Sequence, residues 1–149
     1  MNVILDDHWL RRVLVAPRPA WLTELLADDG EPATTPRWQT RLRNALEHPR
    51  NGVLSRGLSP IQAEIVLRRL DDFPTTTPVA RDTTDDIGEL AALPPIWREA
   101  IIGAVLTKAT IIVHPGAITD RNQSSITAAA AANLLSVEIR IVTLDPTIA

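Results

Sequence analysis

Three carboxylates stand where a parallel sheet would bring them together. Asp6 directly follows the short apolar run 2–5, Glu99 lies early in a predicted helix that leads into the apolar run 109–113, and Asp120 follows that second run. Carboxylate oxygens are the ligands that Mg²⁺ and Mn²⁺ favour. A metal held by them could deprotonate water for attack on a phosphodiester. Asp6 has a second interpretation, as the N-cap of the helix that follows it.

The elements that must position these carboxylates alternate between strand and helix patterns. Strand patterns occur at residues 2–5, 32–35, 76–80, 109–113 and 137–143. The spacing of apolar residues, with prolines between segments, predicts helices at residues 8–15, 19–27, 36–47, 60–73, 85–93, 96–107 and 124–135. This order predicts a single domain over residues 1–149, with a three-layer α/β/α fold around a central parallel sheet of about five strands. Ligand sites in such sheets lie beyond the carboxyl ends of the strands.

Composition excludes several classes of site. The chain has no cysteine, which removes disulfides, thiolate metal sites and cysteine nucleophiles together. It contains no glycine-rich phosphate loop, no HExxH motif and no GxSxG motif. No apolar run approaches the roughly 20 residues of a membrane span, and the first residues lack the pattern of a signal segment. We therefore expect a cytoplasmic protein that does not contact a membrane.

The net charge of −3 conceals two segments of opposite charge. Residues 37–70 contain seven arginines and two glutamates, whereas residues 71–99 contain seven acidic residues and two arginines. Two interpretations stay open. The segments are solvated helix faces that attract each other or a partner, or the arginines meet phosphate groups, which they can bind in a bidentate manner. The acidic total therefore does not exclude RNA as a partner.

The order of patterns resembles that of PIN-domain ribonucleases over most of the chain. VILD at residues 3–6, followed by a helix, is similar to their first strand and first acidic position. ATTP at 33–36 is similar to the second strand and its helix, and EAIIGA at 99–104 followed by ATIIV at 109–113 is similar to the acid-bearing helix and the fourth strand. The resemblance implies RNA cleavage with Mg²⁺ or Mn²⁺. It also implies a toxin-like protein with an antitoxin partner and a homodimer.

The resemblance also implies which residues act, and here the chain departs from the family's pattern. Asp6, Glu99 and Asp120 take the first, third and fourth acidic positions, as metal ligands and catalytic residues. Arg41 stands at the second position, where it cannot bind a metal and would form an ion pair with Asp6. Arg41 and Arg37 then become candidates to contact phosphate or RNA. We therefore expect weak or lost metal-dependent nuclease activity.

Two other alignments remain open. A second register of the same resemblance uses Ser125 and Asp145, so that Asp145 belongs to the site. The paired acids after the first strand also resemble those of receiver domains in response regulators, with Asp82 as the phosphoacceptor. That family needs a lysine after its fifth strand, whereas Lys108 precedes a predicted strand.

A third alternative is a PIN-like module without catalysis that acts through protein partners. The apolar helical stripes carry four tryptophans, Trp9, Trp21, Trp38 and Trp97. This placement predicts core packing, whereas an exposed pair would indicate a surface that binds a protein. His48 and His114 are interpreted as surface or capping residues.

Overall fold

The chain forms a mixed α/β fold in the computed structural model, which describes residues 1–48, 54, 56–77, 93–115 and 123–144. The described strands are β1 (Asn2–Leu5), β2 (Pro32–Thr34), β3 (Ala109–Val113) and β4 (Ile139–Ile141). The described helices are α1 (Asp7–Val15), α2 (Ala20–Leu26), α3 (Pro36–Glu47), α4 (Pro60–Asp71), α5 (Pro95–Thr107) and α6 (Gln123–Leu134). None of these six helices is both long and apolar enough to cross a membrane.

The four strands form one parallel sheet in the order β2-β1-β3-β4. In its centre, Ile4 of β1 stands in register with Ala33 of β2 and Ile111 of β3. All residues of β3 are buried, as expected for an apolar run that is covered on both faces of a parallel sheet. The parallel α/β prediction is therefore confirmed.

A residue outside the four strands also pairs with β2. Thr75 forms a parallel bridge with Thr34, and the Thr34 N–H donates to the Pro74 carbonyl while the Thr76 N–H donates to the Thr34 carbonyl. The predicted strand at 76–80 begins beside this bridge, but residues 78–80 lie outside the described part of the chain. The predicted helix at 85–93 also lies outside it, except for Leu93.

Alternating strand residues divide the apolar core into two clusters. Val3, Leu5 and Ile112 belong to one cluster, whereas Ile4 and Ile111 belong to the other. This division follows from strand geometry, because successive side chains point to opposite faces of a sheet. Both faces of the sheet therefore bury apolar side chains.

The tryptophans pack in two pairs, one in each cluster. Trp9 and Trp21 meet edge to face with ring centroids 5.1 Å apart, and Trp38 and Trp97 do so at 5.8 Å. Trp9, Trp38 and Trp97 are buried and Trp21 is partly buried. The prediction of core packing is confirmed.

Caps set the ends of several helices. Ser59 N-caps α4 in a capping box with Gln62. Thr35 N-caps α3, and β2 ends at the preceding residue, Thr34. The bounds of β1, α3 and β3 match the predicted ranges, and the other described elements differ from them by one or two residues at an end.

One glycine marks a close approach of two backbone segments. The N-terminal ammonium of Met1 donates to the carbonyl of Leu26, and Gly30 lies against both residues. A Cβ atom on Gly30 would lie 2.1 Å from the Met1 carbonyl oxygen and 2.2 Å from that of Leu26. Only glycine fits this position without a shift of the backbone.

Candidate functional site

The carboxyl edge of the sheet gathers the ends of three strands and the starts of three helices. β1 leads through Asp6 into α1, β2 leads through Thr35 into α3, and β3 ends before His114. α5 runs back toward the start of β3, so its first turn, with Glu99 just beyond it, belongs to the same edge. This edge is where parallel sheets place their ligand sites.

Asp6 is fully buried and joins two of these junctions. Its Oδ1 accepts the backbone N–H of Trp9 at 2.8 Å, and its Oδ2 accepts the backbone N–H of His114 at 2.8 Å. The first bond makes Asp6 the N-cap of α1, as its second interpretation proposed. The second bond ties the start of α1 to the end of β3. The buried Asp6 side chain thus connects two segments that are far apart in the sequence.

The environment of Asp6 favours its neutral form. Burial raises the pKa of the Asp6 carboxyl from its ordinary value of 3.8 to about 7. The two backbone N–H groups and the Arg41 charge act in the opposite direction, while the neighbouring Asp7 charge raises this pKa further. Desolvation is the largest of these effects.

Arg41 forms its ion pair with Asp7, which corrects the expected pair with Asp6. The Arg41 Nε lies 3.3 Å from Oδ2 of Asp7, and the other Asp7 oxygen accepts the backbone N–H of His8 at 3.0 Å. Among the described residues, Oδ2 accepts no hydrogen bond of good geometry. Asp7 is buried, whereas the Arg41 side chain is 59% exposed. The guanidinium is therefore anchored at one atom and open to solvent elsewhere.

Two histidines stack at this edge. The rings of His8 and His114 have centroids 4.7 Å apart and planes 22° apart. Burial lowers the pKa of His8 from its ordinary value of 6.5; Asp7 opposes this, and His114, Arg41 and Arg11 lower it further. The sequence interpretation of His114 as a surface or capping residue overlooked this pair. One signal was present, since each histidine comes within three residues of the end of a predicted strand.

A groove of about 460 Å³ separates the first turns of α3 and α5, and we call it the α3–α5 groove. Its lining residues come from both helices and from the residue before α5: Pro36, Arg37, Thr40, Arg41, Pro94, Pro95, Ile96 and Glu99. Both predicted phosphate contacts, Arg37 and Arg41, line this groove together with Glu99.

Glu99 links the two walls of the groove. Its Oε1 accepts the backbone N–H of Arg37 at 2.8 Å, and its Oε2 lies 3.8 Å from Nε of the same residue. The Glu99 side chain is only 11% exposed, whereas that of Arg37 is 55% exposed. The acid thus holds the start of α3 against α5 and leaves the Arg37 guanidinium open to solvent.

The described candidate metal ligands, Asp6 and Glu99, each have other partners. Asp6 is buried with both oxygens on backbone N–H groups, and Glu99 is bound to Arg37. Within the described ranges, no three His, Asp or Glu side chains lie close enough together to hold a metal ion. Asp120 lies outside the described residues, as do Asp145 and the receiver-type candidate Asp82. Metal binding that involves these residues stays a prediction.

The two oppositely charged segments touch each other. Arg43 pairs with Asp71 at 2.6 Å, and Arg37 pairs with Glu99, so each contact joins the basic segment to the acidic one. These contacts support the interpretation that the two segments attract each other. Arg43 serves an internal ion pair, while Arg37 and Arg41 also face the groove.

Comparison with known proteins adds no family. No family model, no curated protein and no solved structure matches this chain. Any function must therefore follow from the chemistry of the site itself.

Proposed function

We propose that the protein binds the phosphate backbone of RNA at the α3–α5 groove, as a PIN-like domain whose metal-dependent cleavage is weak or lost. One observation carries this proposal. Arg37 and Arg41 lie one helical turn apart, line the same groove, and have side chains 55% and 59% exposed.

The two guanidiniums are suited to phosphate oxygens. Each meets its carboxylate through Nε, Arg37 with Glu99 and Arg41 with Asp7. A guanidinium has five N–H donors in a planar fork, and each carboxylate lies on the Nε side, so the terminal N–H groups are left for a ligand. Such charge-assisted bonds to phosphate are stronger than neutral hydrogen bonds.

The surroundings of Asp6 support the loss of metal chemistry. A carboxyl group binds a divalent metal as its ionised form, through an oxygen that the ion can reach. Asp6 is buried, its two oxygens accept backbone N–H groups, and burial raises its pKa. The Arg41 cation beside Asp7 would also repel a second cation at this edge.

The finer architecture belongs to the same proposal. We infer a three-layer α/β/α domain with about five strands over residues 1–149. The Thr75 bridge to Thr34 and the burial of apolar side chains on both sheet faces support this arrangement.

Fluorescence anisotropy with a labelled, mixed-sequence single-stranded RNA tests the proposal. We expect Arg37→Ala and Arg41→Ala each to weaken binding about three- to tenfold, and each to reduce the slope of log affinity against log salt by about one. Arg68→Ala is the matched control, because it removes the same charge from a side chain that is 77% exposed on α4. Equal losses for all three variants would show that binding follows net charge, not the groove. Absence of binding by the wild type would refute the proposal.

Cleavage is measured separately with Mn²⁺ present. We expect the wild type to cleave RNA no faster than the Asp6→Asn variant. Cleavage by the wild type that the variant lacks would restore Asp6 as part of a catalytic metal site.

A further inference from the structure

We infer that the α3–α5 groove holds one unpaired nucleotide of single-stranded RNA and prefers a base that carries an amino group. The base would lie on the wall formed by Pro94, Pro95 and Ile96, with its flanking phosphates on Arg37 and Arg41. This inference rests on the proposed function and names the ligand class of the same site.

The shape and chemistry of the groove favour a nucleotide. A volume of about 460 Å³ lies within the range of small-ligand sites, which runs from about 300 to 1,000 Å³. The wall from α5 presents three consecutive apolar residues, Pro94, Pro95 and Ile96, opposite the two arginines of α3. A nucleotide has the same division, with an apolar base face and an anionic phosphate. Duplex RNA stacks its base faces away, so only an unpaired base can use this wall.

Glu99 supplies the preference among bases. Its Oε1 is occupied by the Arg37 backbone N–H, which fixes the side chain in position. Its Oε2 lies 3.8 Å from the Arg37 Nε, which is too long for a hydrogen bond. In the part of the chain that the structure describes, this oxygen accepts no hydrogen bond, so it keeps lone pairs for a donor from the ligand.

A carboxylate selects donors because it has none of its own. Cytosine presents an N4 amino group that a glutamate can accept, whereas uracil presents an O4 carbonyl at the same ring position. The O4 carbonyl of uracil and the Glu99 carboxylate are both hydrogen-bond acceptors, so they would repel each other. Because Glu99 is only 11% exposed, little water is available to relieve that repulsion.

The cytosine–uracil difference gives a matched pair of probes. We would measure anisotropy of labelled oligocytidine and oligouridine of about ten nucleotides, which carry equal charge. We expect oligocytidine to bind the wild type about tenfold more tightly than oligouridine. A self-complementary duplex of equal length should bind more weakly than oligocytidine.

Two variants assign the preference to the groove. Glu99→Gln keeps an acceptor for the Arg37 N–H and adds a donor, so the ratio of oligocytidine to oligouridine affinity should fall to about one. Ile96→Ala removes apolar wall, so both probes should lose about threefold in affinity with the ratio unchanged. Glu138→Gln is the charge-matched control, because Glu138 is 51% exposed and pairs with Arg140 away from the groove. It should leave the ratio unchanged.

The outcomes separate this inference from the proposed function. Equal binding of both probes by the wild type, or a ratio that survives Glu99→Gln, would overturn the inference and leave phosphate binding by the arginines intact. Failure of the wild type to bind either probe would instead overturn the proposed function. Tighter binding of the duplex would show that the ligand is paired RNA and would also overturn the inference.

Discussion

Replacing Asp6 with asparagine should change how stability depends on pH. The folded protein holds this carboxyl in a buried position where its pKa is raised from 3.8 to about 7. Between those pH values the unfolded chain releases the proton while the folded chain keeps it. Asp6 therefore stabilises the fold most below about pH 4, and this contribution is lost as the pH rises to about 7. Asparagine does not titrate, so the variant lacks this dependence.

The size of the effect follows from the pKa difference. Each pH unit between the two values corresponds to about 1.4 kcal/mol, which gives a limit of roughly 4 kcal/mol for a shift from 3.8 to about 7. The variant also loses stability through an effect that does not depend on pH. An asparagine amide offers one acceptor oxygen, so the backbone N–H of either Trp9 or His114 would face a donor, at a cost of about 1–3 kcal/mol.

Urea unfolding, followed by tryptophan fluorescence, measures both effects. The free energy of unfolding of the wild type minus that of Asp6→Asn should fall steadily from about pH 4 to about pH 8, by as much as roughly 4 kcal/mol. The carboxyl carbon resonance of Asp6 should titrate with a midpoint near 7. A difference that stays flat over this pH range would show that the two N–H groups keep the carboxylate ionised, and the reasoning from burial would be refuted.

Predictions at three further positions follow from the same structure. Because the folded pKa of His8 is lowered from 6.5, the free energy of unfolding of the wild type minus that of His8→Gln should fall on acidification below about pH 6.5 in urea titrations. Gly30→Ala should lower the free energy of unfolding by about 1–3 kcal/mol, because its Cβ would lie 2.1 Å from a backbone oxygen. Ser59→Ala should cost about 1 kcal/mol by removing the N-cap of α4, whereas Ser59→Thr should retain most of it. An unchanged denaturation midpoint in Gly30→Ala or in Ser59→Ala would contradict the corresponding contact.

The local sequence pattern was sufficient to predict those elements whose structure depends on a single segment. Residues 36–47 have a proline at the first helical position and a regular apolar stripe, and the helix has the predicted bounds. Residues 109–113 are apolar throughout and form the fully buried β3 as predicted. Sequence spacing also placed Asp6 and Glu99 at the same edge of the sheet.

The site itself required contacts that no local pattern contains. The sequence predicted an acid after β1 as the partner of Arg41. No local pattern decides between the neighbouring Asp6 and Asp7. Asp6 turns into the protein to cap α1, so Asp7 is the residue that meets Arg41. The stacking of His8 on His114 depends in the same way on the pairing of β1 with β3.

The position of β1 in the middle of the sheet has a consequence for how the chain folds as it is made. β1 is synthesised before β3, which is one of its two neighbours, and the Asp6 contact with His114 spans 108 positions. Until residues 109–113 have emerged, β1 presents an open edge and Asp6 lacks one of its donors. Closing so long a loop slows folding, and an open strand edge invites pairing between chains. Chains interrupted before residue 109 should therefore self-associate through β1, whereas chains that include residues 109–113 cover that edge with β3.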